Sequence, residues 1–211
     1  MRKLPRVVLC LCVFAAVSGC QNHTNPAASV AASAPASPVY AAPPTVAVGM
    51  SVDRAYAAIP HRRTVWLASD STATPEENTY LNATFQLVDQ AIAARVAGFQ
   101  SYSRGDFDSL DIDAQFGQLV NYARAATPPK SLAAYHQDIL SALSGERQFF
   151  QDWKANRGQF VYAEHIENHP AVRAASDASR AAYSELMRLF PREQQNNKDA
   201  FFDYHCALDF L

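Results

Sequence analysis

The chain has 211 residues, 49% of them hydrophobic, with 18 Lys plus Arg against 20 Asp plus Glu and a formal net charge of −2. That balance argues against nucleic acid or an anionic lipid surface as the main partner, because both are bound through excess positive charge. The 4 cysteines include Cys10 and Cys12 in one apolar run, a pattern that is not a disulfide scaffold.

Arg2, Lys3 and Arg6 precede an uncharged apolar run from Val7 to Val17. The run is far short of the roughly 20 residues a membrane-spanning helix needs, so it reads as a removable secretory signal. It ends in the small pair Ser18-Gly19 directly before Cys20. Val17-Ser18-Gly19-Cys20 resembles the lipobox of bacterial lipoproteins, a match confined to the signal region. The resemblance implies diacylglyceryl attachment to the Cys20 sulfur, cleavage after residues 1–19, and acylation, typically by palmitate, of the new amino terminus. Gln21 stands where enteric lipoproteins retained at the inner membrane carry aspartate. The resemblance therefore implies the periplasmic side of the outer membrane of a Gram-negative bacterium. One acyl chain binds a bilayer marginally and two hold it stably, at about 0.8 kcal/mol per buried methylene, so three would anchor the domain durably.

Processing at Cys20 would leave 15 Lys plus Arg against 20 acids, a net charge of −5. It would also remove Cys10 and Cys12 and block Cys20, leaving Cys206 as the single thiol. An internal disulfide is then impossible even in an oxidising compartment, and Cys206 is expected as a small buried hydrophobe.

From Gln21 to Val52 there is no Asp, Glu, Lys or Arg, and Pro26, Pro35, Pro38, Pro43 and Pro44 interrupt Ala, Ser and Val. Prolines at that density forbid a helical stripe, and the few large apolar groups cannot offset the entropy of ordering. Residues 20–50 therefore read as a lipidated cysteine on a disordered tether. Its span is about 30 Å as a random coil and about 90 Å as polyproline II.

A single domain over residues 51–211 follows. Ser51 caps a short helix that Pro60 ends, with Asp53 in its first turn. Thr74-Pro75-Glu76-Glu77 combines a capping box, proline at the first position and acids in the first turn. It opens a long helix with Leu81, Phe85, Val88, Ile92, Val96 and Phe99 on one face, running to Tyr102 and stopped at Gly105. A second fits Asp111 to Ala126, with Ile112, Phe116, Leu119 and Ala123 inward. After Pro128-Pro129 a third carries Leu132, His136, Ile139, Leu143, Phe150 and Trp153 and breaks at Gly158. The fourth runs from Pro170 to Pro191 with Val172, Ala175, Ser179, Ala182, Leu186 and Leu189. Its small middle residues should let a neighbouring helix approach closely. The fifth spans Glu193 to Phe210 with Phe201, His205 and Leu208. No segment alternates with period two. One apolar stripe per helix and short loops predict an all-α, up-and-down antiparallel bundle of four to five helices.

Catalytic signatures are missing from the sequence: it has no glycine-rich phosphate loop, no Gly-x-Ser-x-Gly elbow and no Cys-x-x-Cys-His. The positions three before His61, His136, His165, His169 and His205 hold Ala58, Ala133, Tyr162, Ile166 and Phe202, so no Glu-x-x-His pair exists for a di-metal bundle. His165 and His169 have one-face helical spacing, but Pro170 disfavours a helical His169. The pair reads as a helix entrance with a capping role, and no metal site is assigned.

Two constellations remain. His61, Arg62, Arg63 and Trp66 join planar cations to an aromatic in a segment outside the long helices. Guanidinium groups suit carboxylate recognition, so this is a candidate partner-binding patch. Its structural alternative packs Trp66 on the bundle and pairs the arginines with bundle acids such as Glu76 and Glu77. His136 and His205 lie in apolar stripes, with Met187 near another, and could hold a small ligand or non-covalent haem. Otherwise they are core-edge histidines bonded to neighbours. The sequence thus predicts a non-enzymatic, membrane-anchored periplasmic lipoprotein without a cofactor, acting as an envelope-assembly or interaction factor on another envelope protein. A ligand-binding bundle is the alternative.

Overall fold

The capping signals seen in the sequence open the helices of the computed structural model, which describes residues 40–59, 61–157 and 163–209. The signal region, Cys20, the expected tether through residue 39, and Gly158 lie outside the described residues. Thr74 Oγ1 accepts from Glu77 N and Glu77 Oε2 accepts from Thr74 N, closing the capping box of α2 (Pro75–Tyr102). Burial alone would raise the Glu77 pKa, but hydrogen bonds from Ser131 and Thr74 outweigh it and hold the carboxylate below its usual range. Ser51 caps α1 (Val52–Ala58) and Asp111 caps α3 (Ile112–Ala125), each accepting from a backbone N–H three residues on. Gly105, at φ +77°, takes the left-handed conformation that turns the chain out of α2.

Then come α4 (Ala133–Ala155), the short α5 (Ala163–Glu167), α6 (Pro170–Leu189) and α7 (Gln195–Leu208). The described residues are all helical and loop, with seven helices rather than four to five. Five long ones build the bundle, and α1 and α5 are short additions. No described helix is long and apolar enough to cross a membrane.

Neighbour contacts fix the directions. Tyr80 meets His136 near the start of α2 and α4, and Gly98 meets Phe150 near their ends, so the two run parallel. Between them α3 runs the other way, its Asp113 on Arg147 and its Ala123 beside His136 and Ile139. His169 pairs with Asp152, so α6 descends along α4. Phe190 lies against Phe201 and Arg180 against Asp209, so α7 rises again along α6. The stack of Phe85 on Tyr204 at 4.5 Å closes the ring between α7 and α2. The order is up-down-up-down-up.

The small residues of α6 do permit a close approach. A Cβ on Gly145 of α4 would stand 2.8 Å from the Ala171 carbonyl oxygen and 3.0 Å from the Ala175 Cβ. The long helix α2 departs from the one-stripe expectation, because from Tyr80 to Gly98 it is buried almost all round. The faces that bundle helices leave open are covered by α1, by the strap 61–73 and by residues 40–50. Within this last stretch, which falls in the expected tether, Val46 and Val48 are buried. Val46 N donates to Gln90 Oε1 and Ala47 N to Gln115 Oε1, while Tyr122 donates its hydroxyl to Ala41 O. Backbone donors in a segment without secondary structure thus find side-chain partners on α2 and α3.

Candidate functional site

The strap runs antiparallel along α7, held by polar groups from that helix and from the turn before it. Asp203, buried, accepts from Thr64 N at 2.9 Å and from Arg62 Nε at 3.1 Å. Asn197, also buried, accepts from Leu67 N and donates back to Leu67 O. Glu193 accepts from Thr72 N and from the Ser71 and Thr72 hydroxyls. Burial would raise the Glu193 pKa, but these bonds prevail and keep it below the ordinary carboxylate range. Trp66 is driven into the core, stacked on Phe201 at 5.1 Å and tilted on Phe85 at 5.6 Å.

The four strap residues therefore divide. Trp66 is a core residue, 5% exposed, and is not available to a partner. Arg63 reaches α2 and α1, with Nη2 2.5 Å from Asp89 Oδ2 and Nη1 3.1 Å from Asp53 Oδ1, and it lies over the Tyr56 ring. Asp89 is buried, which lifts its pKa, and Arg63 opposes that lift. His61 Nε2 sits 3.0 Å from the backbone carbonyl of Asp203. Arg62 alone keeps its side chain mostly in solvent while bridging Asp199 and Asp203. The arginine partners are thus Asp53, Asp89, Asp199 and Asp203, not Glu76 and Glu77.

The strap and α7 also carry exposed large apolar side chains: Val65 is 54% exposed, Leu67 41% and Phe202 49%. Asn196 Nδ2 donates to Val65 O, and Phe202 touches the rings of His61 and Tyr183, so strap and α7 form one face. Large aromatics and arginine on a rigid surface are the residue types that anchor protein interfaces. Cys206 stands one turn beyond Phe202 and is exposed, correcting the expectation of a buried thiol. Partial burial, then Asp209 and Asp203, push its pKa up, so the thiolate is disfavoured. Cys206 and His61 also line a cleft of about 540 Å³ between α1, α2 and α7, with Ile59, Arg95 and Phe99.

The two stripe histidines occupy separate places. His136 Nδ1 and the Tyr80 hydroxyl are 2.8 Å apart, and the void beside them is about 10 Å³, far below porphyrin size. His205 donates from Nδ1 to Phe201 O and packs between Phe85, Tyr135 and Tyr183. Burial lowers both pKa values, that of His205 to about 4 against the partial opposition of its Phe201 bond. Adjacent residues on α4 turn opposite ways, Tyr135 to His205 and His136 to Tyr80, so the imidazoles do not converge. His169 caps α6 by accepting from Ala171 N, the capping role its proline neighbour suggested. Among the described residues no three His, Cys, Asp or Glu are grouped to hold a metal ion.

Sequence reasoning missed a buried charged layer at the far end of the bundle. Arg95 of α2 donates Nη1 to Leu208 O at 2.7 Å and Nη2 to Ala207 O, and its Nη1 is 3.6 Å from Glu146 Oε1 of α4. Arg95 lies in an apolar run and Glu146 falls on the Ile139, Leu143, Phe150, Trp153 stripe of α4, so a charge interrupting an apolar stripe was the available signal. No protein-family model matches the chain, and neither a curated protein nor a solved structure matches it.

Proposed function

We propose that the protein is a lipid-anchored envelope lipoprotein whose helical domain acts without catalysis, binding another envelope protein through the face shared by the strap and α7. The observation that supports this reading is the exposed set of Val65, Leu67 and Arg62 on the strap and Phe202 on α7, with the strap fixed by buried Asp203, Asn197 and Glu193. Holding the loop rigid lowers the entropy lost on association, and Arg62 can exchange an intramolecular carboxylate for one on a partner. Anchoring rests on the lipobox, where Cys20 would carry the lipid at the periplasmic side of the outer membrane.

Crosslinking and pulldown of the lipidated protein from its native envelope tests the binding reading. Wild type should recover a partner that a Phe202→Ser, Arg62→Ser variant loses, while circular dichroism shows the variant folded. Equal recovery by both removes this face from the account. Cys20→Ser should move the protein out of the membrane fraction, and retention there would refute the anchor.

A further inference from the structure

We propose that Glu146 is a proton-binding site that latches the end of α7: neutral, it leaves the Arg95 guanidinium on the helix-end carbonyls, and ionised, it draws Arg95 away and loosens the last turn. Glu146 and Arg95 are 0% and 6% exposed, and neither Glu146 oxygen accepts a hydrogen bond among the described residues. Arg95 instead spends its guanidinium on the carbonyls of Ala207, Leu208 and Asp209, the negative end of the α7 dipole. These carbonyls and Glu146 thus compete for one buried cation, and of them only Glu146 can change its charge without unfolding.

The surroundings bias that choice. From α2 the charged neighbour is Arg95 itself. The end of α7 contributes Asp209, which repels a Glu146 carboxylate and is bound by Arg180 of α6. On α6 Ser176 is fully buried, and its hydroxyl makes no hydrogen bond among the described residues. Asp113 of α3 is committed to Arg147 and Gln151. Burial is the largest influence on Glu146 and raises its pKa to about 8, with Arg95 opposing and Asp209 reinforcing. An ionised Glu146 would attract the guanidinium and repel the carbonyl end of α7, so both effects act on the same turn.

The folded state binds the Glu146 proton more tightly than the unfolded state, where the carboxyl titrates near 4.5. The stabilisation is complete below about pH 4.5 and is lost as pH rises through about pH 8. Across that window the contribution to the folding constant falls by up to about tenfold per pH unit. His136 and His205, whose lowered values act in the opposite direction, are cancelled by comparing wild type with Glu146→Gln.

The experiment combines two readouts on the folded protein from about pH 6 to about pH 9, a range that brackets proton loss from the folded state. Infrared difference spectra should show a protonated carboxyl band in wild type that disappears near pH 8 and is absent in Glu146→Gln. Hydrogen exchange at residues 206–209, corrected for its intrinsic pH dependence, should rise in step with that loss in wild type and stay flat in the variant. Lack of the band at the acidic end overturns the proposal even if the variant fails to fold. So does a band whose loss leaves exchange at the end of α7 unchanged.

Discussion

Replacing Gly145 with alanine isolates the close packing of α4 on α6 from helix propensity. In an open helix, Gly→Ala stabilises by about 1 kcal/mol. At Gly145 the new methyl would stand 2.8 Å from the Ala171 carbonyl oxygen and 3.0 Å from the Ala175 Cβ. The first of these is backbone in the opening turn of α6, so relief requires the two helices to part. Overpacking of this kind costs about 1–3 kcal/mol, which outweighs the propensity gain and leaves a net loss of about 1 kcal/mol. Gly117 on α3 is the matched control, since its added Cβ would meet Arg147 at an ordinary 3.5 Å. Gly117→Ala should therefore gain about 0.5–1 kcal/mol, moving the melting temperature up by a few degrees while Gly145→Ala moves it down. Urea and thermal unfolding followed by circular dichroism give both values. Equal stabilisation by the two substitutions would refute the close helix approach.

Arg63→Ala should destabilise by about 3 kcal/mol because it leaves the buried Asp89 carboxylate without its cation, and Arg63→Ala, Asp89→Leu should recover most of that loss. Arg62→Ala, which removes a mostly exposed partner of Asp203, should cost less, and chemical denaturation orders the two. A chain beginning at Ser51 should be less stable than one beginning at Tyr40 by about 2–4 kcal/mol, from unburying Val46 and Val48. Matching denaturation midpoints for the two would place residues 40–50 outside the folded unit.

Local signals in the sequence located most helix ends, because caps act within one turn: Thr74, Asp111, Pro170 and Gly105 each mark a boundary seen in the structure. Long-range pairing was not legible in the same way. Arg62 and Arg63 were matched to Glu76 and Glu77, acids at the start of the next long helix, whereas their partners lie as far away as Asp203. Nothing in local spacing connects residues that meet only when α7 returns beside α2. The Cys206 error has another origin. With Phe201, His205 and Leu208 inward, helical phase alone puts Phe202 and Cys206 outward, and the usual burial of cysteine was given more weight than that phase. In Val46-Ala47-Val48 a short alternation was hidden by flanking prolines and small residues, so its contact with α2 and α3 went unseen.

The proposed function turns on whether the strap and α7 present a binding face. A photocrosslinking amino acid placed at Phe202 or Val65 of the lipidated protein, and at exposed Gln118 of α3 as control, tests this in the native envelope. One discrete crosslinked species is expected from positions 202 and 65 and none from 118. No species from 202 and 65, or the same species from all three, would contradict the proposed face.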